Sequence, residues 1–284
     1  MSTTTNARVT TEDDITNEVL KRFEGTPDPR LKQIMLSLVT HLHGFVKDVQ
    51  LTEPEWFEAI TFLTATGQKC TDIRQEYILL SDTLGVSMVV DLISHRKPAG
   101  ATESTVFGPF HRDGAQRMKM GDTIAPKDST GVPTTLSGRV LDPAGNPIEG
   151  AKLDVWQANS EGFYDSQLPN SDELHMRGIF ATGKDGTYLV RTTRPVYYAI
   201  PTDGPVGQML KATNRHPWRP AHTHFVVSAP GFEPVTTHIF DSIDPYLKSD
   251  AVFGVKESLI VDFKTNDRGE ASAEFDFVLK PAAK

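Results

Sequence analysis

Cysteine is almost absent: Cys70 stands alone among 284 residues. No intramolecular disulfide can form and no cysteine-rich zinc site can be built. A single thiol suits a reducing compartment. Positive charge is also short. Lys and Arg total 29 against 37 Asp and Glu, for a formal net charge of −8. Phosphates select a basic face, so nucleic acid is not an expected partner. No apolar run approaches the length of a membrane span, and no membrane insertion is expected. The opening Met1-Ser2-Thr3-Thr4-Thr5-Asn6 lacks the charged and apolar regions of a signal peptide. A cytoplasmic location is therefore expected, and this polar start is expected to fray. The metalloprotease pattern His-Glu-x-x-His does not occur. What remains, 38% hydrophobic and 23% charged, fits a globular chain with a full core in one large or two small domains.

Two patterns follow one another along the chain. As far as about His95 the periodicity is helical. Asp28-Pro29 supplies an N-cap and a first-turn proline. Leu31, Ile34, Met35, Leu38, Val39 and Leu42 then form one apolar stripe. Thr52-Glu53-Pro54-Glu55 reads as a capping box ahead of Trp56, Phe57, Ile60 and Leu63. A further helix spans about 72–84, with a break or continuation at Gly85 before 86–93. Lys97-Pro98-Ala99-Gly100 closes the helical part. Beyond it lie short strand patterns at 136–141, 152–157, 179–182, 187–191, 222–228, 235–240, 258–263 and 271–278. Some eight short strands predict an antiparallel β-sandwich. The fold expected is mainly β with α: a helical domain over 1–105, then a sandwich domain over 106–284. The stretches 159–177 and 192–221 are too long for hairpin loops, and long loops on a rigid sheet tend to carry function.

From the end of the second of these stretches into the next strand pattern the chain reads Arg215-His216-Pro217-Trp218-Arg219-Pro220-Ala221-His222-Thr223-His224. On a strand, residues two apart share a face. His222 and His224 therefore project together and can reach one metal ion, while Thr223, Phe225 and Val227 turn to the other face, which suits a core. Imidazole is the commonest metal ligand. A pair of half-buried strand histidines is the competing explanation. Arg219, held between Pro217 and Pro220, suits a reaction that develops negative charge on oxygen. Any further ligands must come from elsewhere. Six tyrosines are available, of which Tyr164 and Tyr198 sit in loop-rich settings. Physical reasoning alone does not choose among the six.

The combination of Tyr164, Tyr198 and Arg219-Pro220-Ala221-His222-Thr223-His224 resembles the intradiol ring-cleaving dioxygenases. Segments 136–140, 155–158 and 178–188 resemble that family too, and the likeness covers nearly the whole chain. It implies one non-haem Fe(III) ion held by Tyr164, Tyr198, His222 and His224. Phenolates are hard anionic donors suited to ferric iron. The implied reaction is O2-dependent cleavage of an aromatic ring between adjacent hydroxyls. The second substrate proton would pass to Tyr198 or to iron-bound hydroxide, and Arg219 would stabilise and orient the anionic substrate. His238 stands where catechol-cleaving members often have Gln. It is either a donor near the substrate or a strand histidine with no catalytic role.

Segments 80–88, 198–207 and 250–256 narrow the likeness to members acting on hydroxyquinol, 1,2,4-trihydroxybenzene, in aromatic compound degradation. Catechol or chlorocatechol is the alternative substrate. The implied pocket comprises Leu79, Asp82, Val106, Phe107, Gly108, Pro109, Phe110, Ile200, Pro201, Arg219 and Val252. Leu79 and Asp82, three apart on one predicted helix, share a face. Asp82 either accepts from the third substrate hydroxyl or caps the turn near Gly85 or pairs with a cation. The apolar helical stripes predict a homodimer through the N-terminal helices. The resemblance adds a bound amphiphile, a phospholipid, at that helical interface. Outside the family, 136–148 also resembles repeats of non-enzymatic sandwich domains, so a binding module is the competing class.

Overall fold

The computed structural model describes residues 10–96, 100–169 and 174–282. The Thr-rich start and Lys97-Pro98-Ala99 lie outside the described residues. The chain divides into two compact units, Met1–Thr64 and Ala65–Lys284.

The first unit is helical. Helix α1 (Glu12–Phe23) starts at a complete capping box between Thr11 and Asp14. Helix α2 (Pro29–Asp48) starts where the sequence places it: the Asp28 side chain accepts from the backbone of Arg30 and Leu31, and Pro occupies the first turn. The two helices are tied by Thr16–His43 at 3.0 Å and Lys47–Asp13 at 2.8 Å. Helix α3 (Glu53–Gln68) follows the Thr52–Glu55 contact, in which the Glu55 carboxylate accepts from the Thr52 backbone and hydroxyl. The expected stripe on α2 is present but faces outward. Leu31, Ile34, Leu38, Leu42 and Phe45 are exposed, and only Val39 of α2 is buried.

The second unit carries α4 (Glu76–Thr83) and α5 (Val86–Ser94), broken at Gly85 with φ +75. A positive φ favours glycine, so the helix ends there rather than running on. Helix α4 begins at Glu76, four residues later than the predicted start. Among the described residues no single helix is long and apolar enough to cross a membrane. The α4–α5 pair meets that composition only jointly, across a 79° bend.

Among the described residues twelve strands follow: β1 (Pro133–Leu141), β2 (Lys152–Trp156), β3 (Arg177–Ala181), β4 (Thr187–Thr193), β5 (Tyr198–Ala199), β6 (Trp218–Arg219), β7 (His222–Ser228), β8 (Val235–Asp241), β9 (Ile260–Val261), β10 (Lys264–Thr265), β11 (Ala271–Glu274) and β12 (Phe277–Val278). One sheet has the order β3-β2-β7-β8-β9. The other runs β10-β11-β1-β12 with β4 also on β1, and β5-β6 form a small third sheet. The sheets are mixed, which corrects the purely antiparallel expectation: β1 pairs parallel with β11 and β12, and β8 with β9. Strand 258–263 shrinks to a 3-10 turn plus β9, and 271–278 divides into β11 and β12.

The core lies between the two large sheets. Leu136, Val140 and Val190 meet Leu153, Val155, Phe225 and Val227 there, all with no exposed surface. Truncating one such aromatic, for example Phe225→Ala, costs about 3–5 kcal/mol. Phe225 and Val227 are the β7 residues that alternation assigned to the core. The stretch 192–221 is not a plain loop. It folds into β5, β6 and an unanticipated helix α6 (Pro205–Ala212), whose start carries Gly204 as N-cap and Pro205 in the first turn.

Candidate metal centre

Alternation sends His222 and His224 away from the core, yet both are buried, at 2% and 1% exposure. Tyr164 and Tyr198 contact this outer face, and Phe110 stacks on Tyr164. Sheet register assembles the rest. Directly paired residues share a face. Arg177 pairs with Trp156, Trp156 with His224, and His224 with His238. One row of side chains thus crosses β3, β2, β7 and β8. Trp156 stacks on His224 with centroids 4.6 Å apart and planes at 13°. His238 stacks on His222 at 4.6 Å and 17° and meets His224 edge-on at 4.0 Å.

The polar atoms converge. Tyr164 Oη lies 2.8 Å from His224 Nε2 and 3.3 Å from Tyr198 Oη, and the two histidine Nε2 atoms are 3.1 Å apart. His222 Nδ1 is 2.7 Å from the Pro220 carbonyl. A carbonyl only accepts, so the proton sits on Nδ1 and the Nε2 lone pair faces the cluster. Arg219 Nη1 donates toward that Nε2 at 3.2 Å and toward Tyr198 Oη at 3.5 Å. Tyr198 and Arg219 are themselves cross-strand partners on β5-β6.

Burial dominates the electrostatics. It pushes the three histidines well below the usual imidazole range, with the Arg219 charge adding to the effect. All three rings are held neutral, the form that ligates metal. Burial, and then the neighbouring Tyr198, pushes the Tyr164 phenol well above 10. Burial works against the Arg219 charge, but Asp250, followed by Tyr198, outweighs it and the guanidinium is more firmly protonated than usual. Burial likewise raises the Asp82 carboxyl, although the Ser87 hydroxyl and Arg219 oppose it.

This donor set fits a metal ion. His222, His224 and His238 each offer a ligand atom within 4.8 Å of the others. Imidazole lone pairs lie in the ring plane, however. The near-parallel stacking of His238 on His222 keeps both from aiming at one ion. The two phenol oxygens beside the Nε2 atoms complete the better set: two neutral nitrogens and two oxygens that can become anionic. His224 Nδ1 and both His238 ring nitrogens are buried without a hydrogen-bond partner, the Val106 backbone approaching His238 without reaching hydrogen-bond geometry.

The remaining sequence-derived pocket residues are placed as follows. Leu79, Pro109, Phe110 and Pro201 line a cavity of about 460 Å³ together with Arg74 and Phe163. Asp82, Val106, Ile200 and Val252 are buried. A Cβ on Gly108 would lie 3.4 Å from His224 Cε1, which puts that backbone against the cluster. Phe107 departs from the expectation of a pocket wall. It is 46% exposed and leans on His111 and Trp156.

Three further residues escaped sequence reasoning. Asp165, next to Tyr164, forms a buried bidentate pair with Arg177, at 2.6 Å from Nε and 2.5 Å from Nη2. Asp250 pairs with Arg219 at 3.1 and 3.3 Å. The adjacency of Asp165 to Tyr164 and the place of Asp250 at the head of the 250–256 segment were the signals available for this group.

Comparison with known proteins places the chain in a family. Residues 28–102 match the family model described as catechol dioxygenase N terminus, and residues 106–281 match that described as dioxygenase. The chain is 51% identical to the hydroxyquinol 1,2-dioxygenase of Rhizobium sp. (strain MTP-10005), over 98% of this chain and 94% of the relative. It is 49% identical to the 6-chlorohydroxyquinol 1,2-dioxygenase of Cupriavidus pinatubonensis (strain JMP 134 / LMG 1197), over 94% and 97%. The solved structure of hydroxyquinol 1,2-dioxygenase from Pseudomonas putida DLL-E4 superimposes with a TM-score of 0.89 at 51% identity, covering 95% of this chain and 99% of that one. With its two-tyrosine, two-histidine cluster on the outer face of a mixed sandwich, the chain belongs to the intradiol ring-cleaving dioxygenases.

Proposed function

We propose that this protein cleaves hydroxyquinol with O2 between its two adjacent hydroxyl-bearing carbons. The product is 3-hydroxy-cis,cis-muconate, which tautomerises to maleylacetate. Substrate and O2 together contain every atom of that product, so no other co-reactant is needed. The observation that carries the reading is the convergence of Tyr164 Oη, Tyr198 Oη, His222 Nε2 and His224 Nε2 beside a buried, charged Arg219. Those four side chains would hold one ferric ion. When bound, that ion supplies a Lewis acid for both hydroxyls of a catecholic substrate and makes its ring carbon reactive toward O2.

This chain's residues do the rest. Tyr198 Oη, within reach of Arg219 Nη1, is the atom set to take up a substrate proton. Arg219 offers a fixed positive charge to the anion so formed. His238, with its ring nitrogens free of protein partners, is suited to donate to bound substrate. Leu79, Val106, Ile200 and Val252 exclude water, with Gly108 giving backbone clearance and Pro109, Phe110 and Pro201 forming the mouth. A buried carboxylate is costly unless it meets a donor. Asp82, at 3% exposure and with its carboxyl raised by burial, is therefore assigned to the third hydroxyl, which catechol lacks.

The functional division we propose falls at 105/106, between a helical domain and the domain carrying the site. The separate matches at 28–102 and 106–281 support it. The exposed apolar residues of α2 and α3 support a homodimer through the helices, with a phospholipid as a candidate occupant. The lone Cys70 suits a cytoplasmic place of action. Steady-state O2 uptake on hydroxyquinol and catechol side by side tests the substrate. The expected result is a higher kcat/KM for hydroxyquinol, and a preference for catechol would overturn it.

A further inference from the structure

We infer that Asp250 is a positioning residue for catalysis: its carboxylate holds the Arg219 guanidinium in place beside Tyr198 and, in the metal-free protein, against His222 Nε2. The inference rests on the proposed role of Arg219. Arg219 arrives on the two-residue strand β6, and a side chain that long has many rotamers to lose. Asp250 fixes it from the far end. The carboxylate accepts from Nε at 3.1 Å and from Nη2 at 3.3 Å, leaving Nη1 as the nitrogen directed at His222 Nε2 and Tyr198 Oη. Both side chains are almost fully buried, at 3% and 2% exposure. Asp250 is itself immobilised. The backbone N–H of Gly254 donates to Oδ2 at 2.8 Å, and that of Val252 donates to Oδ1 at 3.3 Å. Thr105 Oγ1 in turn donates to the Gly254 carbonyl at 2.5 Å.

Gly254 supplies the clearance. A Cβ there would stand 2.9 Å from Arg219 Nη2 and 3.2 Å from Asp250 Oδ2. The cradle therefore admits the guanidinium only because position 254 carries no side chain. A carboxylate is also the one neighbour that fits this role electrically. It presents two acceptors to two adjacent guanidinium nitrogens. Asn would present one acceptor and turn an NH2 toward a group that only donates.

A purely structural Asp250 would serve only its own 250–254 loop. A double-mutant cycle on hydroxyquinol turnover separates the two roles. Asp250→Asn should lower kcat on the order of 10- to 100-fold, the penalty of a misplaced group, with a smaller change in KM. The double variant Asp250→Asn/Arg219→Gln should be no slower than Arg219→Gln alone. Losses that multiply would mean Asp250 acts independently of Arg219 and would overturn the inference. The crystal structure of metal-free Asp250→Asn gives a readout independent of turnover. Arg219 Nη1 should leave hydrogen-bond reach of His222 Nε2, and a guanidinium still in place would refute the assignment. Should Asp250→Asn fail to fold, Gly254→Ala displaces the same guanidinium with the carboxylate intact. It should show the same fall in kcat, and wild-type kcat would count against the cradle. If wild-type protein turns over neither hydroxyquinol nor catechol, the proposed function fails, while the position of Arg219 in these variants still decides the role of Asp250.

Discussion

Arg177→Met should destabilise the protein by about 3 kcal/mol. Arg177 and Asp165 form a bidentate pair whose side chains are 2% and 0% exposed. Arg177 Nη2 also donates to the Phe110 carbonyl at 2.6 Å. Removing one partner of a buried pair costs about 3–5 kcal/mol, because the other charge is left without compensation. The lower end applies here. Asp165 would keep the N–H of Ser166 at 2.8 Å and the more distant Arg112 at 3.7 Å. Domains are stable by about 5–15 kcal/mol, so the variant should still fold. With a urea slope near 3 kcal/mol/M, the unfolding midpoint should fall by about 1 M. The effect should reach the metal centre, because the pair braces Tyr164 from two sides. Asp165 follows Tyr164 in sequence, and Phe110 stacks on its ring at 4.5 Å. Visible absorbance per bound iron should drop along with stability. A loss below about 1 kcal/mol with unchanged absorbance would refute the reasoning that this pair fixes the tyrosine loop.

Other expectations follow from the same geometry. Tyr164→Phe should lose bound iron and the phenolate charge-transfer band, and full colour with full activity would remove Tyr164 from the ligand set. Asp82→Ala should lower kcat/KM for hydroxyquinol by about 1–3 kcal/mol more than for catechol; equal losses would exclude a role in recognising the third hydroxyl. Burial raises the Asp82 carboxyl above its ordinary 3.8, so the native state binds that proton more tightly than the unfolded chain. Its contribution to stability therefore falls as pH rises from 3.8 to the folded-state value and stays low above it. Asp82→Asn should accordingly raise Tm at pH 7 and match the parent in strong acid, and a lower Tm at pH 7 would contradict this. Light scattering at micromolar protein should give twice the chain mass, whereas a monomer mass would rule out the dimer.

The sequence disclosed those parts of the structure that depend on neighbours along the chain. The Asp28-Pro29 start and the common face of His222 and His224 are local, and each is present; of the two options left open at Gly85, the break is the one observed. Alternation also separated Phe225 and Val227, which are in the core, from the histidines. It could not tell that the histidine face is buried too, because Tyr164 and Tyr198, which cover it, come from elsewhere in the chain. The parallel pairing of β1 with β11 joins residues more than a hundred positions apart, and no local pattern encodes it. Choosing Tyr164 and Tyr198 from six tyrosines required the family resemblance. Asp165, Arg177 and Asp250 were missed for a related reason. A charged residue in a polar stretch looks like a solvated surface until its buried partner is known. Helix α6 lies in the 192–221 stretch, which has the length and composition of a functional loop, although Gly204-Pro205 supplies a helix start.

Ring cleavage by a dioxygenase is tested most directly by isotope tracing. Iron-loaded protein is given hydroxyquinol under 18O2, and the product is analysed by mass spectrometry before exchange with water. The expected product is one ring-opened dicarboxylate, broken between the two adjacent hydroxyl-bearing carbons and carrying both labelled atoms. A product without label, or a ring opened outside the two hydroxyls, would contradict it.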